Sequence, residues 1–390
     1  MKDPLPFLRP SKAPKNERRL LAVFDGGNAP GYSSVAVALT EEASRRGFEI
    51  WAATEGFRSL TSDRASDLPF ERLTVHRKER YELLARGIPA RSMGRRVQDA
   101  GSDFRSERYG GFLEPQKRAE AVITFRRQGF THLVCVGGNG TLDGCRAWLR
   151  AFGEERPTAG FVNVSIDNDI AGDRAIGFLS GVEAGAQVAR GLFEDAYTHK
   201  RTYLLEMMGN RSGRHALHCG VAARAHLIVL PFFHFAPPVF EELAQVLNAI
   251  DYALVVVAEG YERAERAKEH PMPSASAFFK RQLEAYGLRD RAEKRVIAEP
   301  FSRYLRGVRP GFSDISASYI KASQLFQAWE ADRSEVMPFL RAAHDVGVRE
   351  LDEIEREDRV EPVFLPLLSR LDAPTFERWV RENFTTSFES

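Results

Sequence analysis

The 390-residue sequence has only three cysteines, too few and odd in number to staple a fold, so a disulfide-built secreted module is excluded and a reducing compartment is expected. Cys135 lies in an apolar run, and Cys145 and Cys219 fall in segments expected to be buried, which reads all three as structural. Charge of one sign is also lacking. With 55 Lys plus Arg against 54 Asp plus Glu, no whole-molecule field draws in nucleic acid or another polyanion, and any anion site must be local. Nowhere do about 18 apolar residues run together, so no membrane-spanning helix is expected and the reading is a soluble, cytoplasmic protein. The opening "MKDPLPFLRPSKAPKNERR" has no apolar core of the kind a secretory signal needs, and Pro4, Pro6, Pro10 and Pro14 oppose regular structure. Residues 1–19 therefore read as a polar extension. No internal repeat is apparent.

What is present is a chain with 43% hydrophobic residues, long enough for two domains or one large α/β unit. Strand-like runs recur at "LLAVFDG", "EIWAAT", "THLVCVGG", "GFVNVS", "TYLLEMMG", "HLIVLP" and "DYALVVVAEG". Helix-length amphipathic stretches such as "EPQKRAEAVITFRRQG" and "PVFEELAQVLNAI" separate most of them. Runs apolar throughout, alternating with helices, predict parallel sheets covered on both faces, with ligands at the carboxyl ends of the strands. The Arg-rich stretch 61–114 has weak periodicity and reads as an insertion or mobile flap. Beyond Asp314 the chain reads as helices, "ISASYIKASQLFQAWEAD", "EVMPFLRAAHDVG" and "APTFERWVRENF".

Three runs end in turns suited to chemistry: "DGGNAPG" at 25–31, "GGNGT" at 137–141 and "SIDND" at 165–169. Glycines let backbone N–H groups approach phosphate oxygens, and a following helix N-terminus adds a favourable dipole. Such turns also occur simply because Gly and Asn tolerate left-handed backbone. Asp167 and Asp169 are more specific. Two carboxylates around Asn168 suit one group for a substrate hydroxyl and one for a cation, against the plainer reading of an Asx turn.

The ordered segments "DGGNAPGYSS", "EGFRSL", "VCVGGNGTLDG", "VSIDNDIAGDRAIGF", "HKRTYLLEMMGNRSGRHAL" and "VVVAEG" resemble the phosphofructokinase family from about residue 20 to about residue 330. The resemblance implies two doubly wound α/β domains with parallel-rich sheets. Residues 20–176 plus 295–345 would form the nucleotide or phosphoryl-donor domain, 177–294 the sugar-phosphate domain, and 346–390 C-terminal helices. It implies Asp167 as the base for a sugar hydroxyl, Asp169 beside it, Ser165 in place of the usual Thr, and Gly26 giving its N–H to the transferred group. Gly26, Gly27, Arg108, Gly138, Asn139, Gly140 and Thr141 would lie against donor phosphates, with Arg105 the alternative to Arg108. Arg201, Met208, Gly209, Asn210, Glu259, Arg295, Arg303 and Arg306 would surround the sugar phosphate. Several guanidiniums suit a dianion, and Glu259 can accept from hydroxyls. Taken singly, Arg201 or Arg295 reads more simply as half of a surface ion pair. In the family these two reach a neighbouring subunit, which implies a homodimer or homotetramer.

Departures from the family pattern fall on charged positions. Asn139 stands where the family has a magnesium-associated Asp, Asn210 where it has an Arg that stabilises transition-state charge, Arg303 where it usually has His, and Asn28 where it has Asp. Arg211 lies one step beyond Asn210. Asn139 and Asp169 are the expected Mg2+ neighbours. Gly140 and Val164 stand where pyrophosphate-using relatives carry an acid and a Lys, so ATP is the expected donor and pyrophosphate the lesser one. The expected activity is phosphorylation of fructose 6-phosphate at its 1-hydroxyl. The alternatives are transfer from pyrophosphate or to another sugar phosphate, and a catalytically silent binding or regulatory protein.

Overall fold

The computed structural model describes residues 18–105, 108–300, 303–342, 345–356 and 362–384. Residues 1–17 of the expected polar extension lie outside the described residues. The chain divides into two compact units, the first built from 1–165, 170–180 and 306–356, the second from 166–169, 181–305 and 357–390.

The first unit is organised by apolar runs that become the middle of an eight-stranded sheet. In chain order its main strands are β1 (Arg19–Phe24), β2 (Glu49–Phe57), β3 (Phe70–Thr74), β4 (Ala90–Ser92), β5 (His132–Gly137) and β6 (Thr158–Asn163). The spatial order β6-β5-β1-β2-β3-β4 puts β1, β5 and β6, buried in all but their first residues, side by side in parallel, as continuous apolar strands demand. Helices α1 (Tyr32–Arg45), α2 (Arg77–Ala85), α3 (Pro115–Arg127) and α4 (Asn139–Ala151) connect them. Pro115 opens α3 where its missing N–H costs nothing.

Two expectations change here. Within the stretch 61–114, residues 70–92 are regular structure rather than a flap, because β3 pairs antiparallel with β2, β4 pairs parallel with β3, and α2 links them. Their polarity reflects an edge position, where one face stays wet. The segment "EVMPFLRAAHDVG" is not a helix. It forms most of a hairpin in the last two strands of the sheet, written β11 (Val336–Ala342) and β12 (Asp345–Glu350) in chain order because four strands of the second unit intervene. Buried Val336, Met337 and Leu340 imitate a helical stripe, but tertiary bonds decide otherwise. The Leu340 N–H donates to Asp173 Oδ1 at 2.9 Å, its carbonyl accepts from Arg174 at 3.1 Å, and Val336 pairs with Gly160 of β6.

Asp173 carries a second load. Its Oδ2 accepts from Lys321 Nζ at 2.7 Å and from Asn163 Nδ2 at 3.0 Å, and neither member of the Lys321–Asp173 pair is solvent-exposed. Lys321 also donates to the Arg174 carbonyl at 2.8 Å. It belongs to the long helix Phe312–Glu330, α10 in chain order, so one buried cation fastens that helix to 173–174. Burial pulls the Lys321 pKa down, with the Asp173 carboxylate opposing.

His132, on β5, is stacked edge-on to Phe48 at 4.8 Å and lies 5.5 Å from Trp329. Burial, followed by the nearby Arg18 charge, pushes its pKa down to about 4 from 6.5. The unfolded chain takes up this proton near pH 6.5 while the folded chain refuses it, so folding stability falls as pH drops from 6.5 toward 4. His132→Phe should flatten that part of the denaturant-midpoint profile; an unchanged slope would exclude His132 as its source.

The second unit holds four parallel strands in spatial order β10-β7-β9-β8: β7 (Thr202–Met207), β8 (Leu227–Val229), β9 (Ala253–Ala258) and β10 (Val296–Pro300). Helices α5 (Phe178–His199), α6 (Arg214–Ala222), α7 (Pro237–Ala249), the single turn α8 (Arg263–Arg266) and α9 (Ala275–Ala285) connect them. Of the C-terminal stretch read as helices, 346–350 lies in β12 and α11 (Pro374–Phe384) is helical. Helix α11 docks on α7, where Glu242 accepts from the Thr375 and Phe376 N–H groups at 2.9 Å each, and Trp379 packs against Phe233 and Phe235. Cys135, Cys145 and Cys219 are all buried and unbridged.

Candidate functional site

In the first unit, the register Phe24↔Val136 and Gly137↔Asn163 brings the carboxyl ends of β1, β5 and β6 level, which places the turns after β1 and β5 and Ser165 at one sheet edge. The first two turns are bolted together. Thr141 Oγ1 donates to the Asp25 carbonyl at 3.1 Å, and the Tyr32 hydroxyl donates to the same oxygen at 2.8 Å. Burial first, then the Asp25 charge, raises the Tyr32 phenol pKa, so it stays a proton donor at neutral pH. A Cβ on Gly137 would sit 2.3 Å from Thr141 Oγ1, so only glycine allows this approach. Gly26 has φ +96, backbone that glycine adopts without strain.

Two guanidiniums converge on Gly27. A Cβ there would lie 2.6 Å from Arg306 Nη1 and 3.2 Å from Arg108 Nη2, and Arg306 Nη1 donates to the Asn28 carbonyl at 3.2 Å. Arg306, grouped by resemblance with the sugar-phosphate residues, thus stands with Arg108 at the first glycine turn. A Cβ on Gly138 would come within 3.3 Å of Ser165 Oγ, whereas Gly140 has nothing within 4 Å. Asn139 opens α4, and its Oδ1 is buried without a hydrogen-bond partner among the described residues. A buried acceptor left this way is costly unless a ligand meets it.

In the second unit, Asp167 is half-buried and Asp169 is buried, with Asn168 between them at φ +51. Ser212 Oγ lies 2.6 Å from the Asp167 carbonyl and 2.8 Å from that of Gly209, tying the acidic turn to the turn after β7. That second turn is itself fixed by the loop after β9. Glu259 donates its N–H to Met207 at 2.8 Å and accepts through Oε1 from the Asn210 N–H at 2.7 Å. A Cβ on Gly260 would lie 2.2 Å from the Asn210 carbonyl, and Arg263 Nη1 donates to Asn210 Oδ1 at 2.9 Å. Buried Arg266 braces the loop through the Glu259, Tyr261 and Pro273 carbonyls. Asp167, Met207, Gly209, Asn210 and Glu259 are therefore linked in one hydrogen-bonded cluster through Ser212 and the Glu259 carboxylate, and Met208 lies in the turn between Met207 and Gly209.

Two of the remaining arginines stand apart from it. Arg201 and Arg295 flank the paired strands β7 and β10, where Thr202 donates to the Arg295 carbonyl at 2.9 Å. Arg201 Nη1 meets Asp195 Oδ2 at 3.1 Å and the Tyr203 hydroxyl at 3.2 Å, while Arg295 Nε meets Asp290 Oδ1 at 2.8 Å. Arg303 is exposed at the start of the 3-10 turn Arg303–Gly307.

Sequence reasoning missed three parts of these clusters. Asp25 is only 6% exposed, and its Oδ1 accepts from the Phe57 N–H at 3.4 Å; the signal was an acid ending an apolar run. Ser212 and Arg263 carried no signal, since their partners are 45 and 53 residues away along the chain.

The parallel-rich sheets, with glycine turns and a carboxylate turn at strand ends, define an α/β protein. A family model described as Phosphofructokinase matches residues 19–327, and the chain belongs to the phosphofructokinase family. It is 27% identical over 285 residues to the ATP-dependent 6-phosphofructokinase of Streptococcus suis, covering 72% of this chain and 73% of that one. It is 30% identical over 250 residues to the enzyme of the same name from Chloroflexus aggregans, covering 63% and 65%. Among solved structures it resembles the phosphofructokinase of Saccharomyces cerevisiae (TM-score 0.70, 18% identity, 86% of this chain and 45% of that one). It also resembles the pyrophosphate-dependent phosphofructokinase of Marinobacter aquaeolei (TM-score 0.66, 18% identity, 91% and 93%). No helix among the described residues is long and apolar enough to cross a membrane.

Proposed function

We propose that this protein transfers a phosphoryl group from ATP to a sugar phosphate, most simply to the 1-hydroxyl of fructose 6-phosphate. The observation that carries the reading is the fastening of the Asp167 turn to the Gly209–Ser212 turn and, through Asn210, to Glu259. Asp167 takes the hydroxyl proton as that oxygen attacks, and Glu259 and the Met208–Asn210 turn orient the sugar. Arg108 and Arg306 beside Gly27, with the backbone of Gly26 and Gly27 and of Gly138, Gly140 and Thr141, receive the donor phosphates. Ser165 offers a hydroxyl to the transferred group. Arg303 adds charge for the acceptor, and Arg201 and Arg295 serve a neighbouring copy's acceptor in a homodimer or homotetramer.

Among the described residues no cluster of three or more His, Cys, Asp or Glu could hold a metal. Mg2+ does not need one, since it binds through one or two protein oxygens together with phosphate oxygens and water. The unpartnered Oδ1 of Asn139 suits that mode, and the family resemblance offers Asp169 as a carboxylate neighbour of the ion. When bound, the ion would neutralise charge on the phosphates. Asn139 is a weaker ligand than a carboxylate, so Asn139→Asp should lower the magnesium concentration needed for half-maximal rate. An unchanged or raised requirement would remove Asn139 from the metal's surroundings. Open space at Gly140 and the small Val164 favour a nucleotide over pyrophosphate as donor.

A second reading, a silent sugar-phosphate or nucleotide binder, draws on the neutral side chains at 139 and 210. Purified protein incubated with magnesium, either ATP or pyrophosphate, and a panel of sugar phosphates, with products read by mass spectrometry, separates the two. Transfer to any acceptor excludes silence; none from either donor excludes the kinase.

A further inference from the structure

Position 210 lacks the cation that phosphoryl transfer calls for, yet the structure brings one to it from elsewhere in the chain. Asn210 is held at φ +48, its N–H spent on Glu259 Oε1 and its carbonyl pressed against Gly260. Its side-chain oxygen accepts from Arg263 Nη1 at 2.9 Å, and Arg263 is the first residue of α8, on the loop that carries Glu259. The turn so held is the one Ser212 joins to the Asp167 carbonyl. Arg263 is exposed, so its remaining N–H donors can reach a bound anion, whereas buried Arg266 on the same loop spends its donors on backbone carbonyls.

We infer that Arg263 supplies the positive charge that meets the transferred phosphoryl group at the Asn210 turn, with Asn210 orienting the guanidinium. This rests on the phosphoryl-transfer reading. The chemical need is plain: as the acceptor oxygen loses its proton to Asp167 and bonds to phosphorus, charge spreads over the three equatorial oxygens while the bond to the donor breaks. A guanidinium fixed by one hydrogen bond keeps other N–H groups in a planar fork suited to two of those oxygens. An amide at 210 alone supplies no charge. The tie also gives the Asn a use: its oxygen accepts, which an Arg at 210 could not do.

The test compares wild type with Arg263→Ala, Arg263→Lys and the double variant Arg263→Ala with Asn210→Arg. Steady-state kinetics with the acceptor found in the panel are read beside binding of that acceptor without donor and the melting temperature. Arg263→Ala should lower kcat about 10²-fold, the scale of losing one preorganised charge-stabilising donor, with KM and acceptor binding moved less than about threefold. The double variant should regain about tenfold, because the charge returns from the other side of the pair. Position 210 has left-handed backbone that strains a long side chain, so Arg263→Lys, which keeps the charge at 263, must likewise recover part of the rate. If neither variant recovers rate, or if Arg263→Ala leaves kcat unchanged or alters only KM, the inference is overturned while transfer by the wild type still stands. A fall in kcat matched by a collapse in melting temperature, with no rescue, assigns Arg263 a structural role and also overturns it. If the wild type transfers to no acceptor, the function reading fails and the inference falls with it.

Discussion

Asp167→Asn should lower kcat by 10²- to 10⁴-fold, the usual range for a positioned general base, while acceptor affinity measured without donor changes less than about threefold. The substitution keeps the side chain's shape but replaces one acceptor oxygen by an NH2 donor and removes the lone-pair basicity needed as the hydroxyl attacks. Its effect therefore falls on the transition state rather than the bound ground state. The turn itself should survive, because what Ser212 Oγ meets is the Asp167 backbone carbonyl, which the substitution leaves in place. Stopped-flow or coupled-assay kinetics together with calorimetric titration of the acceptor give the two readings. A variant that retains more than about a tenth of wild-type kcat would mean that another group takes the proton. Equal loss of affinity and rate would mean that Asp167 chiefly binds.

Lys321→Met should destabilise the protein by about 3–5 kcal/mol in denaturant titration, because it leaves the Asp173 carboxylate buried without its cation. Asp173 also accepts from Asn163 and from the Leu340 N–H, so the orphaned charge would sit at the junction of β6, β11 and the segment leading to α5. Adding Asp173→Asn to Lys321→Met removes that charge and should recover a large part of the loss, since a neutral amide needs no counter-ion. A loss below about 1 kcal/mol would show that water or rearrangement relieves the charge. A double variant no better than the single would place the cost in packing of the Lys321 stem instead.

Much of the architecture could be read from composition and pattern, for a definite reason. A strand buried on both faces must be apolar throughout, so "LLAVF", "HLVCVG" and "ALVVVA" announced β1, β5 and β9 from their own residues. Glycines at positions of positive φ or close approach were visible in the same way, because no other residue tolerates 2.3 Å between a Cβ and Thr141 Oγ1. Asp167 stood out with Asp169 as a carboxylate pair following the run "FVNVS", whereas Glu259 was reached through the family resemblance. The hairpin at 336–350 did not stand out. Its buried Val336, Met337 and Leu340 fit a helical spacing, and the groups that hold it extended, Asp173 and Arg174, are more than 150 residues away along the chain.

What the sequence alone determined is therefore the alternation of strands and helices, the family, and the carboxylate and glycine turns, all properties written in short windows. Tertiary structure decided where each charge is used. Arg306 and Arg108 meet at Gly27, Arg201 is claimed by Asp195 and Tyr203, Arg295 by Asp290, and Arg263 comes to Asn210. An arginine has a long stem and no preferred neighbour in sequence, so its partner is chosen only when the folded backbone brings an oxygen within reach of its fork. For the same reason the missing charge at position 210 looked like a defect in the one-dimensional chain, and acquires a cation only once Arg263, 53 residues away along the chain, is packed against it.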